Sequence, residues 1–133
     1  GGNASGASNV IDYTTIATPA NATDFGDLVV GTKGLGGCNN LTRGVFMGGD
    51  DDSATVIQYV TIATPSNTTD FGDLLEESDG SNAACHSMTR GLYQHGRQTY
   101  SIQYITIDTT GNAIDFGDTT GNLNQTTGFN DGF

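Results

Sequence analysis

The chain has 133 residues, 15 acidic against 4 basic, giving a net charge of −11. So few cations leave almost nothing to neutralise a phosphate backbone, which argues against nucleic acid as a partner, and no apolar run approaches the ~20 residues of a membrane-spanning helix. The acidic residues are interleaved with regularly spaced Ile, Tyr and Phe and form no tail, so the composition is that of a folded domain, one domain or part of one.

Three copies of one phrase organise the sequence: VIDYTTIATPANATDFGDL from Val10, VIQYVTIATPSNTTDFGDL from Val56 and SIQYITIDTTGNAIDFGD from Ser101. Ile11, Ile57 and Ile102 are spaced by 46 and 45 residues, and Asp-Phe-Gly-Asp recurs at Asp24, Asp70 and Asp115. The frame is residues 1–9 as the end of a preceding copy, 10–55 and 56–100 as full repeats, and 101–133 as a truncated third. A repeat of this length is one supersecondary unit that cannot bury its apolar face alone and needs neighbours.

Each full copy holds four strand candidates. Residues 10–18 alternate β-branched and aromatic side chains with polar ones, and Pro19 ends the run. Residues 23–30 form the second, with Phe25 as its apolar anchor and Gly26 permitting close approach of another backbone. A short third strand over 35–40 precedes the most apolar run, 42–48, which is expected to be the best buried. The second copy repeats the plan. No stretch holds a 3.6-residue apolar period with caps, so no helix is expected.

Four antiparallel strands per unit of this length point to propeller blades. The apolar run followed by Gly48-Gly49, an acidic loop, an Ile-x-Tyr strand and an aromatic-Gly strand is similar to Kelch repeats, with Phe25, Phe71 and Phe116 standing where those repeats carry Trp. More narrowly, TIAT-x-x-NATDFGDL and TRGVFMGG resemble Kelch-like repeats of predicted structural and tail-fibre proteins of marine bacteriophages and aquatic viruses. The expected fold is therefore all-β: tandem four-stranded antiparallel blades in a Kelch-like β-propeller array of two full repeats plus one partial.

The chemistry-bearing residues repeat with the units. Asp24/Asp27, Asp70/Asp73 and Asp115/Asp118 face opposite sides of a strand unless the intervening glycine introduces a bulge, and an active site needs one asymmetric constellation where this pattern occurs three times. The chain is read as non-catalytic. Arg43 and Arg90, in matching Thr-Arg-Gly motifs, either fork onto a neighbouring carboxylate or face a ligand groove. Asp50, Asp51 and Asp52 offer hard oxygen ligands that suit calcium, as do Asp131 and Asn130, but lack a calcium-loop spacing; a solvated acidic loop is the competing reading, and no other cofactor is expected. His86 and His95 complete no zinc or copper pattern and read as surface or loop residues. Cys38 and Cys85 share one repeat position and read as small buried residues, too far apart for a disulfide unless the units stack tightly. Asn3, Asn21, Asn40, Asn67 and Asn124 head Asn-x-Ser/Thr triplets that a secretory route could glycosylate.

These readings converge on an oligomeric scaffold, a structural or host-recognition component of a virion fibre or appendage, located in the virion or outside the cell. Its partners would be further copies of itself, other virion proteins or a host-surface glycan, with no membrane contact. Binding is assigned to the loops at 19–21, 31–34, 50–55, 76–81 and 94–100, with Tyr93, His95, Arg97 and Tyr100 as the sugar-binding candidates. The alternative is a secreted adhesin or surface-layer protein of a marine microbe that binds polysaccharide or calcium.

Overall fold

The computed structural model describes residues 6–50, 55–80, 82–95, 100–121 and 128. Ten strands run through them: β1 (Ser8–Tyr13), β2 (Thr23–Thr32), β3 (Gly36–Asn39), β4 (Arg43–Met47), β5 (Val56–Thr61), β6 (Thr69–Asp73), β7 (Ala83–His86), β8 (Arg90–Gln94), β9 (Ser101–Thr106) and β10 (Ile114–Asp118). They form antiparallel sheets of order β1-β2, β3-β4-β5-β6 and β7-β8-β9-β10. No helix occurs among the described residues, as the β-branched and glycine-rich composition requires. The described strands build two complete four-stranded meanders and one half-sheet, and they close no ring.

The repeat period of the sequence is the spacing of the sheets, while the sheets begin half a repeat away from the sequence frame. The last two strands of the first copy pair with the first two of the second, with Val45 opposite Tyr59 and Met47 opposite Ile57. The same join in the third sheet sets Leu92 opposite Tyr104 and Gln94 opposite Ile102. Strand β1 and its counterparts are shorter than the alternation suggested. They stop at Tyr13, Thr61 and Thr106, because the chain then folds into a tight turn in which the N–H of Thr18, Thr64 or Thr109 donates to the carbonyl of Thr15, Thr61 or Thr106 at 3.0–3.1 Å.

Asp-Phe-Gly-Asp is a β-bulge in all three sheets. The register slips opposite Phe25, Phe71 and Phe116, so that two residues of one strand face one of the other. The extra residue is the phenylalanine, and each ring packs edge-on against the tyrosine of its own sheet: Tyr13–Phe25 at 5.8 Å, Tyr59–Phe71 at 5.9 Å, Tyr104–Phe116 at 6.1 Å. Gly26, Gly72 and Gly117 adopt φ of 141°, 146° and 138°, values reserved for glycine.

The middle sheet is apolar on both faces, which fixes how the sheets stack. Cys38, Val45, Met47, Ile57 and Phe71 join Tyr93, Ile105, Ile107 and Ala113 of the third sheet in one core. Val60 and Phe46, on the opposite face, pack with Ile11, Phe25 and Leu28 of the half-sheet. Each buried side chain of this size is worth about 1.5–3 kcal/mol. Phe25 and Phe71 are accordingly buried, whereas Phe116, with no fourth sheet over it among the described residues, is half exposed.

Glycine at the bulge is required by a neighbour as well as by φ. A Cβ at Gly72 would stand 2.5 Å from the backbone of Gly111, while a Cβ at Gly117 would meet nothing within 4 Å. Since both positions share the same φ strain, Gly72→Ala should cost about 1–3 kcal/mol more than Gly117→Ala; urea denaturation of the two variants at low protein concentration measures the difference, and equal losses would remove the junction as the reason for the glycine.

Candidate functional site

The most built feature of the molecule is the junction between successive sheets, and it is made twice from the same residues. At the first, the Asp27 N–H donates to Asn67 Oδ1 (3.0 Å) and the Thr68 N–H donates to the Asp27 carbonyl (2.8 Å). At the second, the Asp73 N–H donates to Asn112 Oδ1 (3.1 Å) and the Ala113 N–H to the Asp73 carbonyl (2.8 Å). The edge of β2 or β6 is thereby covered by the β5–β6 or β9–β10 loop, so its ladder groups are not left open. A glutamine clamps each junction from inside. Gln58 Oε1 accepts from the Val29 N–H at 2.8 Å and from Thr68 Oγ1 at 2.7 Å; its counterpart Gln103 Oε1 accepts from the Leu75 N–H at 2.7 Å. Both side-chain amides are buried with their bonds made, the only economical way to keep a polar group in a core.

The arginines act at the junctions as well, though through carbonyls and rings. The Arg43 guanidinium lies 4.5 Å over the Tyr59 ring and donates from Nη1 to the Ile107 carbonyl of the next sheet at 2.9 Å. Arg90 lies 4.6 Å over Tyr104. The expected carboxylate fork is therefore replaced by a cation–π stack. Long side chains two residues from a cross-strand partner reach a diagonal aromatic, and the Asp-Phe-Gly-Asp carboxylates sit on another strand. Asp24 instead turns back to accept the Gly26 N–H at 3.2 Å. Asp70 and Asp115 lie at the same bulge position, opposite Gln58 and Gln103.

Of the sugar-binding candidates the structure brings two together, in the interior. Tyr93 and His95 are 1% and 2% exposed, with ring centroids 5.2 Å apart. The Tyr93 hydroxyl donates to Ser78 Oγ (2.7 Å), and Ser78 in turn donates to Asn82 Oδ1 (2.9 Å). His95 Nε2 bonds the Gln103 amide. Neither ring presents a face to solvent, so their assignment as a glycan surface is corrected, as is the placing of His95 on the surface. Strand alternation on β8 decides it, because Tyr93 and His95 share the inward side with Gly91, which abuts Cys38. Tyr100 is half exposed and stays available; Arg97 lies outside the described residues.

Of the loops proposed to vary, 31–34 is built into the stack: Thr32 is buried against Gly49, and a Cβ at Gly34 would meet the Gly80 backbone. Within 76–81, Ser78 is a buried hub. The expected loop 19–21 is exposed within the β1–β2 connection (residues 14–22), and so are the β5–β6 loop (residues 62–67) and the β3–β4 and β7–β8 turns, whose Leu41 and Met88 stand out at matching positions. Asp50 is engaged by Lys33 through a 3.7 Å ion pair and an isolated bridge; Asp51, Asp52, Asn130 and Asp131 lie outside the described residues. Among the described residues no three His, Cys, Asp or Glu side chains converge on one point. Asn40 is buried, its Oδ1 accepting from Thr42 and from the Arg43 N–H, which removes it as a glycosylation candidate; Asn21 is exposed, and Asn3 and Asn124 lie outside the described residues. Both cysteines are free thiols, Cys38 buried and Cys85 partly so. Burial, with Cys85 nearby, pushes the Cys38 thiol up to about 12, so it is inert at neutral pH.

No protein-family model matches the chain, and a search of curated proteins finds no match.

Burial lowers the pKa of His95 from its ordinary value, against a smaller opposing pull from the Glu76 and Asp79 carboxylates and the Glu77 backbone. The unfolded chain then binds more protons than the folded one below the ordinary His value of ~6.5, so His95 supports the fold above that pH and costs stability as pH falls below it. The stability difference between wild type and His95→Gln, from chemical denaturation, is expected to shrink between about pH 7 and pH 5; a difference independent of pH would show that His95 takes its proton freely in the folded state.

Proposed function

We propose that this chain is a non-catalytic β-scaffold that serves as a structural or host-recognition part of a virion fibre or appendage. The observation that carries the reading is the repeated junction: one set of contacts, Asn-to-Asp backbone bonds plus a glutamine clamp, joins sheet to sheet twice over. Such a stack is quasi-one-dimensional and rigid, because each unit is held only by its neighbours and by identical means. Loops that the strands hold in place are free to differ without disturbing the stack. The likeness of TIAT-x-x-NATDFGDL and TRGVFMGG to tail-fibre repeats supplies the virion setting. The blades belong to a Kelch-like propeller array, completed by further repeats or further copies.

A secreted adhesin is the second reading. It is favoured by the half-exposed Tyr100 and the exposed Leu41 and Met88, apolar side chains at loops and turns of a chain with net charge −11. An antibody against the chain is expected to decorate fibres or appendages of purified virions in immunogold electron microscopy. Label confined to cell envelopes would favour the adhesin, and label on neither would overturn both.

A further inference from the structure

The two faces of the stack that no described residue covers are the two halves of the junction already made twice inside it. In the internal junctions an edge offering Gly26-Asp27 or Gly72-Asp73 receives a loop offering Ser66-Asn67-Thr68 or Gly111-Asn112-Ala113. The third copy of the edge, Gly117-Asp118 on β10, has nothing within 4 Å of a Cβ at Gly117. The third copy of the loop, Ala20-Asn21-Ala22, is exposed throughout.

Burial differs most at the position that the arginine covers, with Ile62, which has no such cap among the described residues, between the extremes at 43% exposed. Ile107 is fully buried under the middle sheet and its carbonyl accepts from Arg43, whereas its counterpart Ile16 is 97% exposed. On the receiving side Phe116 is half exposed where Phe25 and Phe71 are buried, and Arg90 stacks on Tyr104 as Arg43 does on Tyr59, with no bond to a following sheet among the described residues. Among the described residues only Gly128 covers this face, against Ala84 and Cys85, and the β9–β10 side has no described residue over it.

We infer that the β9–β10 face binds the β1–β2 half-sheet of a second copy of this chain, head to tail, by repeating the internal junction. Asn21 of the incoming copy accepts the Asp118 N–H, its Ala22 N–H donates to the Asp118 carbonyl, and Arg90 donates to its Ile16 carbonyl. Asp12 stands at the position of the Gln58 and Gln103 clamps, and a carboxylate serves there because the clamping atom is an acceptor. The composition of this junction suits association between chains. Thr14 replaces the buried Val60 and Ile105 on one side, and Thr119 replaces the buried Leu28 and Leu74 on the other. Surfaces that must be soluble when apart are more polar than a core, and the changed positions are ones whose counterparts share a core cluster, Val60 with Leu28 and Ile105 with Leu74. The contact is heterologous, so copies add to one another until a ring closes or a filament grows.

The inference rests on the scaffold reading and specifies its assembly. Sedimentation velocity on the chain of 133 residues, across a concentration series, tests it with three proteins: wild type, Ile16→Asp/Asn21→Ala altered in the exposed loop, and Asp118→Pro, which lacks the edge N–H. Phe116→Glu, at a half-exposed position, takes the place of Asp118→Pro should circular dichroism show that variant unfolded. Wild type is expected to form a growing series of species, each variant alone to stay monomeric, and a 1:1 mixture of the two to give a dimer that grows no further, since one intact face of each kind remains. Wild type that stays monomeric to roughly 1 mM overturns the inference. Oligomers that persist in both variants also overturn it while leaving an oligomeric scaffold in place, and immunogold labelling of virions is independent of either outcome.

Discussion

Without a side chain at Gly26 and Gly72, the backbone of the following sheet's loop can close on a β-bulge, and the spacing of the stack follows from that approach. A Cβ at either glycine would lie 2.4–2.5 Å from backbone atoms of Ser66 or Gly111, which cannot yield as a flexible side chain would. The bulge serves both sides of the contact at once. It turns the phenylalanine into the core and leaves the next backbone N–H and carbonyl, those of Asp27 or Asp73, aimed at the neighbouring loop.

Magnitudes separate what holds the sheets together from what aligns them. A buried Phe, Ile or Met contributes roughly 1.5–3 kcal/mol, and the middle sheet commits such side chains on both faces. A net hydrogen bond contributes about 0.5–1.5 kcal/mol, so the Asn–Asp and glutamine contacts add less in energy than the burial does. Their effect is positional. Leaving a buried Gln58 or Gln103 unpaired would cost more than its bonds add, so a slipped sheet loses stability even where its apolar contacts survive.

The repeat residues were legible because they occur three times, and repetition filters chance. The Tyr93 and His95 assignment failed for the reason that single-copy residues must be read from local context. Their nearness to Arg97 and Tyr100 in sequence suggested one surface. Yet Tyr93 aligns with Phe46, which is only half buried, while the buried Val45 and Met47 align with Leu92 and Gln94, so the side of the strand that is buried changes between copies and only the packing of the sheets decides it. The arginine partners were missed similarly. Charge complementarity favours a carboxylate, whereas the strand register sets Arg43 opposite Thr61, one diagonal step from Tyr59, where the ring is the nearer partner. The glutamine clamps were read only as the x of Ile-x-Tyr, since nothing in a sequence distinguishes an exposed strand glutamine from one that reaches back into another sheet.

By itself the sequence determined the all-β class, the antiparallel strands, the period near 46 residues and the recurring glycine of Asp-Phe-Gly-Asp as a place of close approach, because these depend on side-chain alternation, propensity and recurrence within one stretch of chain. Tertiary structure alone decided the phase, which puts 36–73 and 83–118 in the sheets, and which of three chemically identical phenylalanines lie in the core. A periodic sequence can be cut into units at any point. Only the pairing of Arg43–Met47 with Val56–Thr61, a contact across the Asp50 loop, selects the cut that buries both faces of a sheet.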